Sequence, residues 1–515
     1  MGDMSDAAPK DSEPLGANVR LRYATLINYI CQFLGFIASL FFVVFVTRSL
    51  TVEEYGIWTM IFKYVSYIAI LTPVYGFWLP RTISRGSNTA KTGLFLATTL
   101  GLSATVAFIV LVSGVSKVFQ QPLLPLLLAC IIVFQEYLND GLNSISSAHA
   151  PQFTGYGNVT LRISQAGLAY LALIMLGMGL VGAVICVIFG RTATILLLYV
   201  LNKGLIGASK VDTSTAKRWL SSSWLPIYAA FPVSFLALDV LIVRGVTGSG
   251  EAIAFYGIAI TLLGLTMRTG VGFPALYARL LATKNFKDVE EILWITYMLA
   301  IPITVGIVVY TEPLAAVFNI KYVVASNAIR VFEVAALVQL YTGILAVTLA
   351  GLEERDRKAN GIKYMKTTLF KGPTLQYIAT VVYLCIVWLG ACVYVDLSSR
   401  VTLIWGIAYL IYNLLLAYSF SWLLRREFDV KSPLKQLVSY SLRFFVAAVP
   451  IIVIGVLFPV EPQESIYPLI KDLIPLVIGS ALAYFGLLYV LDVKMRQLLT
   501  SLIKYFCGQR QLRER

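Results

Sequence analysis

Apolar runs of about 18 to 26 residues recur along almost the whole sequence, parted by short charged stretches, and a helix needs ~20 such residues to cross ~30 Å of hydrocarbon. Helices of a soluble core are shorter and more often interrupted. Composition points the same way: 58% of the 515 residues are hydrophobic and 13% are charged, too little polar surface for a water-facing domain. The runs predict an all-α polytopic membrane protein with about fourteen spans. They fall at 24–46, 56–80, 92–116, 122–147, 157–177, 179–202, 223–243, 252–276, 291–311, 326–350, 368–391, 400–422, 441–459 and 470–491. The polar leader carries Asp3, Asp6, Asp11 and Glu13 and lacks the layout of a cleavable signal, so the first run is expected to stay and to target the chain.

Lysine and arginine set the orientation. Loops on one side carry roughly 28 of the 41 and those on the other roughly 6, which places the rich side, with both termini, in the cytoplasm of a cell membrane. The net charge of +14 is spread over many juxtamembrane loops and does not form one patch with interleaved aromatics. Anionic membrane lipids are therefore the expected partners of these cations, and nucleic acid is not. The segment 493–506 brings Leu498, Leu499, Leu502, Tyr505 and Phe506 near one face, the pattern either of a short helix lying on that interface or of a frayed basic tail.

The six cysteines show no CxxC or paired spacing, and the single histidine, His149, cannot build a zinc site or a Ser/His/Asp triad. No P-loop or Gly-rich nucleotide fingerprint is present. These features predict no cofactor, no metal and no enzyme.

The chain also repeats itself weakly. Span one runs out through Phe45-Val46-Thr47-Arg48 to Tyr55-Gly56-Ile57, and span seven through Leu241-Ile242-Val243-Arg244 to Tyr256-Gly257-Ile258. Each copy would comprise six spans of one orientation, a parallel repeat. The expected organisation is a leader (1–23), a six-helix lobe (24–202), a linker (203–222), a second six-helix lobe (223–422), two additional helices (423–491) and a basic tail (492–515).

Three passages carry a resemblance to a known family. They are Phe45-Val46-Thr47-Arg48 continued to Tyr55-Gly56-Ile57-Trp58; Val317-Phe318-Asn319-Ile320-Lys321-Tyr322 with Ala325 and Ala328; and 346–351 leading to Glu353-Glu354-Arg355. The sequence resembles the polysaccharide-biosynthesis flippases of the multidrug/oligosaccharidyl-lipid/polysaccharide exporter superfamily. The resemblance implies two lobes around a cavity that opens alternately to either side, and a polyprenyl-linked glycan as cargo. Multidrug exporters share that fold, so the cargo needs its own argument.

That argument rests on charges within spans, each costing ~2.5 to 3.5 kcal/mol on insertion scales unless it faces protein or water. Lys63, Arg162, Arg191 and Arg268 fall within spans two, five, six and eight. An excess of such cations suits a lipid phosphate or pyrophosphate and repels cationic drugs. Arg162 lies near enough to the cytoplasmic end that snorkelling to headgroups accounts for it equally well. On span four, Glu136, Asp140 and Asn143 share one helical face, with Gln135 and Asn139 beside them. This stripe suits sugar hydroxyls or a coupling ion, H⁺ or Na⁺; it suits equally a structural network with Arg162 or Arg191. Asp239 in span seven has the same two readings, with Arg244 or Arg268 as partner. Trp58, Tyr64 and Tyr75 are either packing residues or platforms for sugar rings.

The reading that unites these features is a flippase that moves a polyprenyl-(pyro)phosphate-linked oligosaccharide by alternating access. The alternatives are an ion-coupled exporter of a small anionic solute or drug and, as the enzyme class, a membrane glycosyltransferase or glycan polymerase. The latter would normally need a large external loop with acid/base residues.

Overall fold

The computed structural model describes residues 21–497 and 500, apart from 85, 222, 274, 275, 277–279, 281–283 and 354–364. The leader up to residue 20, the loop holding Glu354 and Arg355, and the tail face from Leu498 lie outside the described residues. Among the described residues the chain is helical with no strand, and it is a multi-pass membrane protein. Eleven helices are long and apolar enough to cross a bilayer by length and composition, or twelve with one bent pair counted as a span. The first and fifth predicted spans are also helical, the first a single helix and the fifth a helix with a π-helical end, and bring the layout to about fourteen. The chain divides into two compact units, residues 1–237 and 238–515. The division falls inside the seventh apolar run.

The first unit begins with α1 (Leu21–Ser49) and α2 (Val52–Ile68). Between them Thr51 caps α2: its hydroxyl accepts from the Glu54 amide at 3.2 Å while Glu54 accepts from the Thr51 amide at 2.8 Å. This reciprocal box satisfies two orphan donors and makes a turn of the passage between Arg48 and Tyr55. The second span then breaks. A 3₁₀ turn (Ala69–Leu71) leads to the short helices α3 (Pro73–Gly76) and α4 (Trp78–Ser84), with a bend of 48°. Pro73 has no amide to donate, and the Thr72 amide bonds the Ala69 carbonyl at 3.0 Å. The Ile68 carbonyl accepts instead from the Tyr137 hydroxyl at 2.6 Å, so a side chain from another helix holds the break.

Next come α5 (Ala90–Phe119), α6 (Leu123–His149), α7 (Gln152–Ala169, with a π-helical end Tyr170–Met175) and α8 (Gly179–Gly207). The α7–α8 pair is close because Gly190 has no side chain: a Cβ there would lie 2.6 Å from Gln165 and 3.0 Å from the Leu161 carbonyl. That carbonyl belongs to backbone and cannot rotate away. Gly190→Ala should therefore lower stability by ~1–3 kcal/mol, read as a lower unfolding temperature in detergent with the wild type alongside.

A short surface helix, α9 (Thr213–Ser221), and α10 (Trp224–Leu236) complete this unit. Asp212 caps α9, accepting from the Ser214 amide at 2.9 Å and the Thr215 hydroxyl at 2.6 Å, while its own amide bonds the Thr92 hydroxyl. Bonds from the Thr215 and Ser214 hydroxyls and amides hold the exposed Asp212 carboxyl down at about 2. A carboxyl depressed on folding contributes stability that is present above its unfolded value and lost as pH falls through the folded one. Hydrogen exchange at the Ser214 and Thr215 amides, corrected for intrinsic rate, should rise as pH drops from about 4 toward 2. In Asp212→Ala those amides should exchange fast throughout.

The second unit contains α11 (Leu238–Thr247), α12 (Glu251–Met267, turning into the 3₁₀ segment Arg268–Gly272), α13 (Lys287–Val309), α14 (Thr311–Phe318), α15 (Ser326–Leu352), α16 (Thr368–Val393), α17 (Ser398–Phe428), α18 (Leu434–Leu457) and α19 (Ile466–Leu491). Its packing repeats that of the first unit, six spans on. Within the first unit α1 packs on α7, α5 on α6, α7 on α8, and α6 on α8 and α2. Within the second, α11 packs on α16, α13 on α15, α16 on α17, and α15 on α17 and α12. The corresponding helices α2 and α12 are each 17 residues long and each passes into a 3₁₀ turn. The weak echo of Tyr-Gly-Ile thus marks a parallel repeat of six helices.

The two additional helices attach inside the second unit. Trp294 meets Phe444 edge to face, joining α13 to α18, and Leu469 and Leu473 of α19 pack with Tyr310 and Ala316. Long outward rows such as Val438, Leu442, Val449 and Val456 on α18 remain exposed, as lipid-facing residues do.

Candidate functional site

Polar residues lie within the spans of both units. In the first unit they line the α6–α8 seam. Arg191 on α8 forms an ion pair with Glu136 on α6, and both are only partly shielded, with 16% and 31% of their side chains exposed. Next to the pair in sequence, the Gln135 amide donates to the Thr192 hydroxyl at 2.7 Å and the Ile188 carbonyl at 3.1 Å. Farther along, Asn202 donates to Ser146 at 2.9 Å. Hydrogen bonds across a membrane interface fix the rotation of the two helices and keep the ion pair in place. On the same face of α6, Asp140 lies against the bend of span two: a Cβ on Gly76 would sit 3.0 Å from its Oδ2. That oxygen is buried and has no hydrogen-bond partner. Asn143, by contrast, spends its side-chain amide on the Asn139 carbonyl of its own helix.

The other predicted residues of this unit lie on α7, α2 and α3. Arg162 on α7 reaches Gln165 of its own helix at 3.4 Å, and Lys63 is half-buried on α2. Trp58, Tyr64 and Tyr75 are buried in the first unit, the first edge to face with Phe62 and the last with its hydroxyl on the Tyr137 carbonyl at 2.9 Å. Their ring faces are taken by protein, so the sugar-platform reading does not fit them.

In the second unit the focus is Asp239, at the start of α11 and 1% exposed. Its Oδ2 accepts from the Tyr383 hydroxyl at 2.6 Å and the Trp405 indole at 3.1 Å, contributed by α16 and α17. Tyr256 stacks on Trp405 at 4.0 Å, closing an aromatic cage. The Tyr383 hydroxyl and the Trp405 indole are neutral donors to this carboxylate, and Arg268 is exposed at the end of α12. A second carboxylate is Glu333 on α15, fully buried, which accepts from Thr266 at 2.8 Å, with Thr304 another 3.3 Å beyond. Its Oε1 has no hydrogen-bond partner. A buried carboxylate ringed by hydroxyls has the donor set for a proton or a small hard cation.

Glu333, Tyr383 and Trp405 were not singled out from the sequence. Glu333 is legible by the rule that picked Asp239, a lone carboxylate in an apolar run. The aromatic partners carry no such signal, since most ring residues in spans are packing or interface groups.

The solved structures of known proteins resolve what the helices form. A lipid II flippase, MurJ, in an inward closed conformation matches with a TM-score of 0.61 and 14% identity, over 93% of this chain and 100% of its own. A multidrug resistance MATE family transporter of the MOP superfamily, inward-facing, matches with a TM-score of 0.56 and 15% identity over 76% of this chain and 94% of its own. A MATE structure in complex with MaL6 matches at 0.54 and 17%, over 81% and 96%. The chain has the MOP transporter fold. No family model and no curated protein matches it, so at these identities the fold is what the likeness carries. With this fold the six-helix repeat and the two seams acquire a context: each polar cluster lies within one six-helix bundle of the fold.

Proposed function

We propose that the protein is a flippase that translocates a polyprenyl-(pyro)phosphate-linked oligosaccharide across the cytoplasmic membrane, for surface polysaccharide or glycoprotein assembly. The observation that carries this reading is the reach of the likeness to MurJ. A match over 93% of the chain must extend into the α18–α19 pair, whereas the MATE transporters cover 76% and 81%. In this reading Arg191 and Lys63 in the first unit and Arg268 in the second supply cationic charge for the phosphate. Arg162, Glu136, Asp140 and Asn143 supply hydrogen bonds, and the isoprenoid tail stays in lipid. Asp239, with Glu333, is the proposed site of a coupling H⁺ or Na⁺. Both termini and the lysine-rich loops lie in the cytoplasm.

The test is translocation by purified protein in proteoliposomes, with a membrane-impermeant lectin or glycosidase reporting lipid-linked sugar on the far leaflet. Protein-dependent exposure of the sugar is the expected result. Panels of lipid-linked glycans that never cross, while a soluble anion or drug does, would replace the flippase by the second reading. That reading, an ion-coupled exporter, is favoured by the MATE likeness and by the Glu136 partner that offsets the charge of Arg191.

A further inference from the structure

Away from both polar seams, the second unit has a cleft of about 290 Å³ where the start of α16 meets the end of α17. Its walls are apolar, from Met365, Phe370, Leu375 and Trp422, and Lys371, Arg426 and Glu427 stand at its edge. Glu427 binds the Lys371 ammonium at 2.6 Å, which takes one of its three donor protons and fixes where it points. The Arg426 guanidinium lies 4.9 Å from the centre of the Trp422 ring and has no carboxylate partner among the described residues. One carboxylate against two cations leaves the rim positive. Lys366 and Arg425 stand nearby in sequence at this end of the lobe, the end that the lysine and arginine distribution assigns to the cytoplasm. A ring-stacked guanidinium keeps its outer donors for a phosphate, and a half-exposed tryptophan at a span end marks headgroup depth.

We propose that this cleft binds an anionic glycerophospholipid of the inner leaflet. Its phosphate sits against Arg426 and Lys371, and the upper part of one acyl chain lies along Phe370, Leu375 and Trp422. Basic pockets between transmembrane helices on the cytoplasmic side recognise anionic headgroups by this combination of point charge and apolar wall. The site is independent of the cargo and would hold for an exporter as well as for a flippase.

The full-length protein is reconstituted in phosphatidylcholine vesicles doped with lipid brominated in the upper acyl chain, either phosphatidylglycerol or phosphatidylcholine. Subtracting the Trp422→Phe signal from the wild-type signal isolates the quenching of Trp422. Brominated phosphatidylglycerol should quench Trp422 about fivefold more per mole than brominated phosphatidylcholine, the enrichment that one juxtamembrane basic residue confers. Arg426→Gln should bring the two lipids level. Arg400→Gln, which removes the guanidinium 5.7 Å from Tyr394 at the other end of α17, should leave the preference intact. Should Arg426→Gln fail to insert, salt serves in its place, because the wild-type preference must shrink as ionic strength rises. Equal quenching in the wild type, a preference that survives Arg426→Gln, or one indifferent to salt would overturn the proposal. None of these outcomes depends on whether a glycan is transported.

Discussion

Arg191→Ala is expected to reduce translocation of a lipid-linked glycan to the protein-free level while the chain still inserts. The ion pair with Glu136 complicates the single variant, because removing the guanidinium also strands a partly shielded carboxylate, at a cost on the order of 1–3 kcal/mol. Two further variants separate the roles. Glu136→Gln removes the compensating charge and leaves Arg191 free to meet a phosphate, so it should transport at least as well as the wild type at limiting substrate. Arg191→Ala combined with Glu136→Gln removes both charges and should regain most of the lost thermal stability, yet remain inactive. Residues in direct contact do not add independently, and the sign of that non-additivity is informative. A double variant that transports like the wild type would reduce the pair to a structural tie between α6 and α8. The cationic charge assigned to the cargo would then rest on Lys63 and Arg268.

Length and hydropathy made the helices readable, because an apolar run long enough for the bilayer has one way to satisfy its backbone. The repeat was readable only at its edges, where Arg48 and Arg244 precede Tyr-Gly-Ile, since packing in lipid constrains residue size more than identity. Partners were not readable. Glu136 and Arg191 each stood out as a charge in a span, but Arg162 competed for the carboxylates until the rotation of α6 against α8 was known. Pro73 marks the break of span two, whereas Pro232, Pro302, Pro373, Pro450 and Pro475 lie inside continuous helices. At that break the Tyr137 hydroxyl takes the Ile68 carbonyl, so the group that holds the broken span sits on a different helix.

The Asp239 cage gives the sharpest separation of folding from coupling. Asp239→Ala leaves the Tyr383 hydroxyl and the Trp405 indole without their acceptor in a site 1% exposed, which should cost on the order of 2–5 kcal/mol and lower yield as well as unfolding temperature. Asp239→Asn keeps an acceptor oxygen for both donors and should fold nearly as well as the wild type, but it can neither gain a proton nor neutralise a cation. If Asp239 holds the coupling ion, the Asn variant in proteoliposomes transports at one rate whether or not an H⁺ or Na⁺ gradient is imposed, while the wild type accelerates with one of them. Tyr383→Phe sharpens the result. It removes a donor that stabilises the charged carboxylate, so the ion dependence should shift to a different concentration range without disappearing. An Asn variant that still follows the imposed gradient would move the coupling site elsewhere, and Glu333, with its unpartnered Oε1, would be the next residue to substitute.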